Sequence, residues 1–315
     1  QETYQQQRYT HAPIECRGTI AYWNPGEKKL TVWSSTQWPH VLKRHLTALL
    51  GVPAHKVRVI APDVGGGFGQ KQNTFREDIV IPLLSMELGV PVKWIEDRRE
   101  NLSASAHARE HKVSLEAAVK ADGIILGIRA HITCDMGAYP LYPWLPNQWV
   151  KALTRDLPSP YKIANYGWEI DTVLTNKAPE TAYRAPGATA ANWSMESIID
   201  TIAMKLNIDP LELRLKNMIR MEDQPYKTGD GREIDAITPY EALQKAAEVI
   251  GYKEFRQEQR KALASGTYLG IGFGNYIKGA GYPTTAASIG QSGHEVVTVQ
   301  MDPTGKVQAF VGVSP

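Results

Sequence analysis

A run of glycines, Gly65-Gly66-Gly67-Phe68-Gly69, separates a strand pattern at residues 56–60 from a helical pattern at about residues 75–88. Glycine permits positive φ and a close approach of the backbone to a ligand, so that bare N–H groups can face phosphate or oxo groups. Such N–H groups converge on anions where a strand gives way to a helix. The chain is therefore expected to fold around a glycine loop at a strand–helix junction.

The spacing around this loop excludes two familiar nucleotide-binding loops. A Walker loop has glycine before its lysine and serine or threonine after it, whereas Gln70 and Gln72 flank Lys71. In a dinucleotide fingerprint counted from Gly65, the third glycine would fall at Gln70. Ligand binding and a simple tight turn both remain open for this segment.

Strand and helix patterns alternate along the rest of the chain. Strands are predicted at residues 19–23, 30–34, 56–60, 90–96, 113–119 and 124–132, and again from residue 267. Helices are predicted at residues 39–50, 75–88 and 195–206, after Asp209-Pro210, and in two stretches within 239–264. Residues 139–168, rich in Pro, Trp and Tyr, are predicted to form a long ordered loop. This order indicates an α+β fold of mixed-sheet, two-layer α/β subdomains.

The bulk composition excludes several classes of protein. Hydrophobic residues make up 43% of the 315, and 35 basic residues against 33 acidic ones give a net charge of +2, which argues against nucleic acid or an anionic membrane as the main partner. No apolar run approaches the roughly 18–20 residues of a membrane span. Cys16 and Cys134 alone indicate no disulfide framework, so a cytoplasmic location is expected. The chain begins with Gln1 and ends on a strand-like run, and we expect a fragment or one chain of a split protein.

Three further motifs carry little chemistry by themselves. The segment from His107 to His111 matches a His-x-x-Glu-His zinc pattern, but it enters a strand pattern, where the two histidines lie too far apart for one metal. No metal ligation by side chains is therefore expected. Gly270-Ile271-Gly272-Phe273-Gly274 is predicted to be a strand whose glycines allow close packing. Arg184, which precedes Ala185-Pro186-Gly187, can offer a rigid donor fork to an anion, although many surface turns carry arginine.

Taken in order, several segments resemble the large subunits of molybdenum hydroxylases, the family of xanthine dehydrogenase, aldehyde oxidoreductases and aerobic carbon monoxide dehydrogenase. These segments are Ala12-Pro13-Ile14-Glu15-Cys16-Arg17-Gly18, Ser35-Thr36-Gln37, Val64-Gly65-Gly66-Gly67-Phe68-Gly69, Ala182-Tyr183-Arg184 and Asp209-Pro210-Leu211-Glu212-Leu213-Arg214-Leu215-Lys216-Asn217. The resemblance covers nearly the whole chain. Each motif is weak alone, and the ordered set is specific.

The resemblance implies roles for particular residues. In such proteins a pterin dithiolene holds the molybdenum. Gln37 looks like the glutamine that hydrogen-bonds a molybdenum oxygen ligand, and Gly67, Phe68 and Gly69 look like the backbone packed beside the metal. Arg184 looks like the arginine next to the cofactor. The positions that correspond to substrate contacts are Gln72, Lys151 and Pro186.

Departures from the family pattern bear on the substrate. Purine hydroxylases carry glutamate at the position of Gln72 and an aromatic residue at that of Pro186, so a purine is not expected. Carbon monoxide dehydrogenases carry a copper-binding cysteine at the position of Ala185. The catalytic base of the family, a glutamate, is expected beyond Pro315, so that no catalytic residue is assigned within the chain.

The resemblance also implies a function, cofactors and partners. The chain is expected to be part of an enzyme that oxidises an aldehyde or aromatic N-heterocycle with water as the oxygen source. Molybdopterin, in its cytosine dinucleotide form, would carry the molybdenum. Partner chains or domains would hold [2Fe-2S] clusters and FAD, with the rest of the large subunit completing a dimer of heterotrimers.

Three domain regions follow from this interpretation: a first molybdopterin-binding domain at residues 1–222, a helical connector at 223–265, and the start of a second molybdopterin-binding domain at 266–315. Three alternatives remain: a non-catalytic cofactor-binding or assembly domain, an unrelated anion-binding α+β domain, and a carbon monoxide dehydrogenase-like subunit.

Overall fold

The structure is a computed structural model that describes residues 1–142, 148–158, 160–277 and 296–311. Within these residues the strands are β1 (Glu2–Gln5), β2 (Arg8–Tyr9), β3 (Gly18–Asn24), β4 (Lys29–Ser34), β5 (Val57–Ile60), β6 (Val92–Ile95), β7 (Ala108–Arg109), β8 (His111–Val119), β9 (Ile125–Asp135), β10 (Asn165–Val173), β11 (Tyr226–Lys227), β12 (Glu233–Ile234), β13 (Thr298–Met301) and β14 (Val307–Phe310). The α-helices in the same residues are α1 (Pro39–Leu50), α2 (Glu77–Leu88), α3 (Arg98–Ala104), α4 (Gln148–Asp156), α5 (Ala188–Leu206), α6 (Pro210–Asn217), α7 (Pro239–Val249) and α8 (Tyr252–Ala264).

The chain divides into two compact units, named here for the loops they carry. The glycine-loop unit comprises His11–Ser105, Leu141–Pro143 and Gly279–Pro315. The arginine-loop unit comprises Gln1–Thr10, Ala106–Pro140 and Trp144–Lys278. Both mix small sheets with helices, which confirms the predicted α+β class. None of the helices in the described ranges is long and apolar enough to cross a membrane.

The glycine-loop unit is built on a four-stranded sheet in the order β5-β4-β3-β6. β3 and β4 form the predicted antiparallel hairpin, and β5 adds in parallel to β4. Alternate residues of the hairpin face inward, and α1 and α2 cover that face. Their shared core consists of Ala21, Leu30, Val32, Leu42, Leu46, Val52, Val57 and Ile81.

Local chemistry sets the ends of α1 as predicted. Pro39 occupies the first turn, where its missing N–H costs nothing, and Gly51 adopts φ 67° in the left-handed conformation that ends the helix. Leu42, His45 and Leu46 recur at helical spacing and are buried. The helix after the glycine loop, α2, also forms and keeps Pro82 inside it.

The arginine-loop unit is built on a mixed sheet in the order β1-β8-β9-β10. β8 pairs antiparallel with β9, as predicted, whereas β10 is parallel to β9. Apolar residues of β8 and β9 pack with α4 and α5, and the long helix α5 buries Met195, Ile198 and Ile199 in this core. The Asp209 side chain caps α6 by accepting the N–H of Leu211 at 2.8 Å, as its sequence position predicts.

The prediction of a loop over residues 139–168 was wrong. The segment contains α4 and the start of β10, and residues 143–147 and 159 lie outside the described part. Val150, Leu153 and Leu157 of this stretch recur at helical spacing and are fully buried. Their burial stabilises a helix, although the composition of the segment, rich in Pro and Trp, indicated a loop. Tertiary burial here outweighs local composition.

The prediction of strands directly from Thr267 was also wrong for the residues described. Residues 267–277 contain no strand, and the glycine-rich segment is held by side chains instead. The Asn192 amide donates to the carbonyl of Asn275, and the ring of Phe273 lies 5.4 Å from that of Tyr252. Residues 278–295 lie outside the description, and the strand pair that follows is β13 with β14.

Candidate functional site

The glycine loop follows β5 and turns sharply before α2. Gly66, Phe68 and Gly69 adopt φ of 91°, 55° and 108°, and a short 3-10 turn then covers Gln70–Gln72. Residues that alternate in and out of the left-handed region turn the backbone sharply, and the N–H of Gly66 donates to the carbonyl of Val64 at 2.9 Å within this turn. Phe68 reaches this region without being glycine, which is uncommon and marks a held conformation.

Two glycines of the loop are needed because other groups approach them. A Cβ on Gly65 would lie 2.5 Å from Cβ of Glu15, and one on Gly67 would lie 2.5 Å from Oε1 of Gln37. Both distances are shorter than any normal carbon contact, so a larger residue would displace the neighbour. The loop therefore requires glycine for close approach as well as for its turn.

Gln37 is held against the glycine loop at two points. Its backbone N–H donates to the carbonyl of Lys71 at 2.9 Å, and its Oε1 accepts the N–H of Gly69 at 3.0 Å. Because the amide oxygen is engaged, the NH2 group of Gln37 is left as a donor. Its Nε2 makes no hydrogen bond to a residue within the described ranges.

An ion pair that the sequence did not indicate anchors the start of this loop. Glu15 Oε2 accepts the N–H of Gly65 at 2.8 Å and the Lys71 ammonium at 2.7 Å. The Lys71 side chain is fully buried, whereas that of Glu15 is 40% exposed. One carboxylate thus ties the first residue of the loop to the turn that follows it.

A buried polar network lies beneath the 3-10 turn. The Asn101 amide donates to Gln70 Oε1 at 3.0 Å and to Glu96 Oε2 at 2.7 Å, and Gln70 Nε2 donates to Ser105 at 2.6 Å. Arg17 in turn donates to the Glu96 carboxylate through Nε and Nη2. A satisfied network of this kind specifies one geometry for the turn.

The predicted substrate residue of this unit, Gln72, closes the 3-10 turn. Its side chain is half-buried, and its Nε2 is buried without a hydrogen-bond partner in the described structure. An unpaired buried amide donor is costly and calls for a ligand or solvent partner. The structure thus brings Gln37, Gly67, Phe68, Gly69 and Gln72 together on one loop system.

The other predicted residues belong to the arginine-loop unit. Arg184 is exposed, and its carbonyl accepts a hydrogen bond from Arg109 Nη2 at 3.2 Å. Pro186, two residues on, is half-buried in a turn where Ala185 adopts φ 62°. Lys151 lies exposed on α4.

Titratable histidine and cysteine side chains in the described residues form no metal cluster. No group of three His, Cys, Asp or Glu side chains there could hold a metal ion. Burial raises the pKa of the Cys134 thiol, and burial lowers the pKa of His111 to about 4. Both groups are thus held neutral near pH 7.

Comparison with known proteins decides the family. A model of the molybdopterin cofactor-binding domain matches residues 1–218. The chain belongs to this family. The question for the site is therefore whether its residues fit molybdopterin with its molybdenum.

Individual relatives of this molybdopterin-binding chain are similar across almost its whole length. The large subunit of nicotine 6-hydroxylase from Paenarthrobacter nicotinovorans is 36% identical over 99% of this chain. The large chain of carbon monoxide dehydrogenase from Afipia carboxidovorans is 35% identical over 96% of it. The chain spans 38% of the length of each of these relatives.

Solved structures share the fold. Quinoline 2-oxidoreductase from Pseudomonas putida 86 superposes with a TM-score of 0.88 at 33% identity, over 100% of this chain and 41% of that one. Aldehyde oxidoreductase from Desulfovibrio gigas shares the fold alone, at 21% identity and a TM-score of 0.77 over 98% of this chain and 32% of that one.

The glycine-loop residues fit a molybdopterin cofactor. The cofactor presents oxygen-rich, anionic groups, and Gln37 Nε2 is an amide donor that lies beside the loop. The N–H groups of Gly65, Gly66 and Gly69 are used inside the site, where they hold Glu15, Val64 and Gln37 in place. Gly65 and Gly67 leave room for the side chains of Glu15 and Gln37 to lie against the loop. Amide donors of this kind bind an anion through hydrogen bonds and do not ligate a metal directly.

Proposed function

We propose that this chain is the molybdenum-cofactor-binding part of a hydroxylase that oxidises an aromatic N-heterocycle or an aldehyde with water as the oxygen source. The observation that carries the proposal is the orientation of the Gln37 amide, whose Oε1 accepts the N–H of Gly69 so that Nε2 is left as a donor. Relatives named for nicotine and quinoline favour the heterocycle. When bound, the cofactor supplies the two-electron redox chemistry.

The chain's own residues hold and orient that cofactor. Gln37 would donate from Nε2 to an oxygen on it, and the backbone of Gly67, Phe68 and Gly69 would lie beside it. Arg184 contributes a positive guanidinium, which stabilises anionic groups. Because the chain provides fixed donors, its share of catalysis is positioning and electrostatics.

Three residues are proposed to contact substrate. Gln72 carries an unpaired amide donor that suits a ring nitrogen or carbonyl oxygen of the substrate. Pro186 stands in a rigid turn and offers an apolar surface, and Lys151 offers an exposed ammonium on α4. A neutral amide at Gln72 cannot take up a proton, and the resemblance to molybdenum hydroxylases implies a glutamate as the base.

The domain division, finer cofactor details and assembly belong to the same proposal. Residues 1–222 form a first molybdopterin-binding domain, supported by the family match to 1–218, followed by a connector at 223–265 and part of a second such domain at 266–315. The pterin is in its cytosine dinucleotide form. The enzyme is a cytoplasmic dimer of heterotrimers with iron–sulfur [2Fe-2S] and FAD subunits, supported by relatives that are named as subunits of complexes.

Carbon monoxide oxidation is the second candidate, because a carbon monoxide dehydrogenase is 35% identical. The position after Tyr183-Arg184 is Ala185, whose methyl group cannot bind copper. A non-catalytic cofactor-binding domain is the third candidate.

The test is metal analysis and a substrate panel on the natively purified complex. We expect about one molybdenum atom per large subunit, oxidation of an N-heterocycle or aldehyde, and no oxidation of carbon monoxide. A complex that contains molybdenum but oxidises none of these substrates would favour a non-catalytic cofactor-binding domain. A folded complex without molybdenum would contradict the proposal.

A further inference from the structure

Two segments of the arginine-loop unit, residues 107–110 and 179–185, run side by side, and the second of them contains Arg184. The N–H of His107 donates to the carbonyl of Pro179 at 2.9 Å, and the N–H of Thr181 donates to the carbonyl of His107 at 2.8 Å. These bonds make a parallel bridge between His107 and Glu180. The backbone of residues 107–110 thus fixes the position of the backbone of residues 179–185.

The backbone of both segments is strained near their contact. Arg109 and Glu110 adopt φ of 70° and 74° in succession, and Ala185 adopts φ 62°. None of the three is glycine, and side chains of L-residues make this conformation unfavourable. Such strain persists only where surrounding contacts enforce it, and it concentrates at functional sites.

A cluster of ion pairs enforces the strained turn. The Glu110 carboxylate accepts Arg8 Nε at 2.5 Å and pairs with the Lys177 ammonium. Asp135 pairs with the same two cations, at 3.3 Å and 2.9 Å. Because Arg8 also lies opposite Arg109 in the β2–β7 pair, the turn is fixed from both sides.

Glu180 adds a buried link between the segments. The backbone N–H of Arg109 donates to its carboxyl group, whose other oxygen, Oε2, has no hydrogen-bond partner in the described residues. Burial raises the pKa of Glu180 well above its ordinary value. A carboxyl group held in this way locks the position of Arg109 relative to the residues just before Arg184.

The constrained turn places the side chain of Arg109 against the backbone of Arg184. Its Nη2 donates to the carbonyl of Arg184 at 3.2 Å, and its guanidinium carbon lies 5.1 Å and 5.9 Å from the ring centroids of Tyr183 and Tyr9. No carboxylate of the described residues lies within ion-pair distance of its guanidinium group. The Arg109 guanidinium therefore makes a charge-assisted hydrogen bond to a backbone carbonyl and lies near two aromatic rings.

We infer that Arg109 is a positioning residue for Arg184: it fixes the carbonyl of Arg184 and thereby the direction in which that side chain meets the molybdenum cofactor. This inference rests on the proposed function, since it requires Arg184 to face the cofactor. It assigns no contact between Arg109 and the cofactor or substrate.

The test uses the intact enzyme with Arg109→Met, Arg109→Lys, Arg184→Met and the double variant Arg109→Met/Arg184→Met. Readouts are molybdenum retained per large subunit after gel filtration and the line shape of the Mo(V) electron paramagnetic resonance signal. We expect Arg109→Met to retain about tenfold less molybdenum, the scale of one lost hydrogen bond from a charged group, and to alter the signal. Arg109→Lys should recover part of both, and the double variant should be no worse than Arg184→Met.

The matched control is Arg129→Met, because the Arg129 side chain is 79% exposed on β9 of the same unit and should leave both readouts unchanged. Losses that multiply in the double variant would overturn the inference, as would a folded Arg109→Met or Arg109→Lys enzyme with wild-type retention and signal. A wild-type enzyme without molybdenum would instead overturn the proposed function on which the inference rests.

Discussion

At the residue scale, the amide of Gln37 depends on its contact with the glycine loop. The N–H of Gly69 selects which end of the amide faces inward, and the absence of a side chain on Gly67 leaves room for it. Amide orientation is therefore a property of the loop as much as of Gln37 itself.

Gly67→Ala should weaken cofactor retention without unfolding the chain. The added Cβ would lie 2.5–2.7 Å from three side-chain atoms of Gln37, which must move away and lose the bond to Gly69. We expect several-fold less molybdenum per large subunit, measured by elemental analysis of the purified enzyme. Gly167→Ala is the control, since a Cβ there meets open space; equal molybdenum in both variants would contradict the assignment of Gly67.

His111 should make stability depend on pH. Burial lowers its pKa to about 4, against about 6.5 in the unfolded chain. The unfolded chain therefore binds more protons in this window, so the stability present above pH 6.5 is lost as the pH falls toward 4. We expect the free energy of unfolding to be about 2 kcal/mol lower at pH 5 than at pH 8 from this residue alone.

Urea unfolding of the wild type and of His111→Leu across pH 5–8 measures this contribution. The variant should lose the share that His111 contributes and keep the share of His45, whose pKa burial also lowers to about 4. His131→Gln, at a side chain that is 50% exposed, should keep both shares. Parallel curves for the wild type and His111→Leu would show that the histidine is not held neutral.

At the scale of elements, the glycine loop and its 3-10 turn are joined by the Glu15–Lys71 pair. Glu15→Ala would leave the Lys71 ammonium buried without its carboxylate. We expect a loss of about 2 kcal/mol in the free energy of unfolding, less than for a fully enclosed pair because Glu15 is 40% exposed. Urea unfolding measures the loss.

A double-variant comparison isolates the pair. Adding Lys71→Met to Glu15→Ala should recover much of the stability, because it removes the unpaired charge. Glu116→Ala is the control, since its exposed pair with Arg129 at 3.8 Å should contribute within about 0.5 kcal/mol. A Glu15→Ala loss no larger than the control's would contradict an anchoring role.

Elements with strong local signals could be predicted from the sequence. The β3–β4 hairpin, α1 with Pro39 and Gly51, and the Asp209 cap each depend on residues a few positions apart. α4 and β10 were missed because they form against distant partners: α4 buries its apolar face in the core, and β10 takes its register from β9.

The candidate site divides in the same way. The glycine loop, Gln37 and Arg184 could be proposed from ordered motifs. The pair of Glu15 with Lys71 spans 56 residues, and the bond from Arg109 to Arg184 spans 75. Contacts of that separation leave no periodic or spacing signal, so the residues that hold the site in place emerged only from the structure.

At the scale of the whole molecule, the residues proposed to contact the cofactor are distributed over both compact units. The glycine-loop unit holds Gln37 with its loop, and the arginine-loop unit holds Arg184 with the turn that positions it. Since the chain spans 38% of the nicotine 6-hydroxylase large subunit, the proposed activity is one of the complete enzyme.

We propose that the molybdenum cofactor binds beside the Gln37 amide and the glycine loop. The most direct measurement is an anomalous difference map recorded at the molybdenum absorption edge from crystals of the intact enzyme. We expect one strong peak per large subunit, next to the Gln37 amide and the Phe68–Gly69 backbone. A metal-loaded enzyme whose peak lies away from both would contradict it.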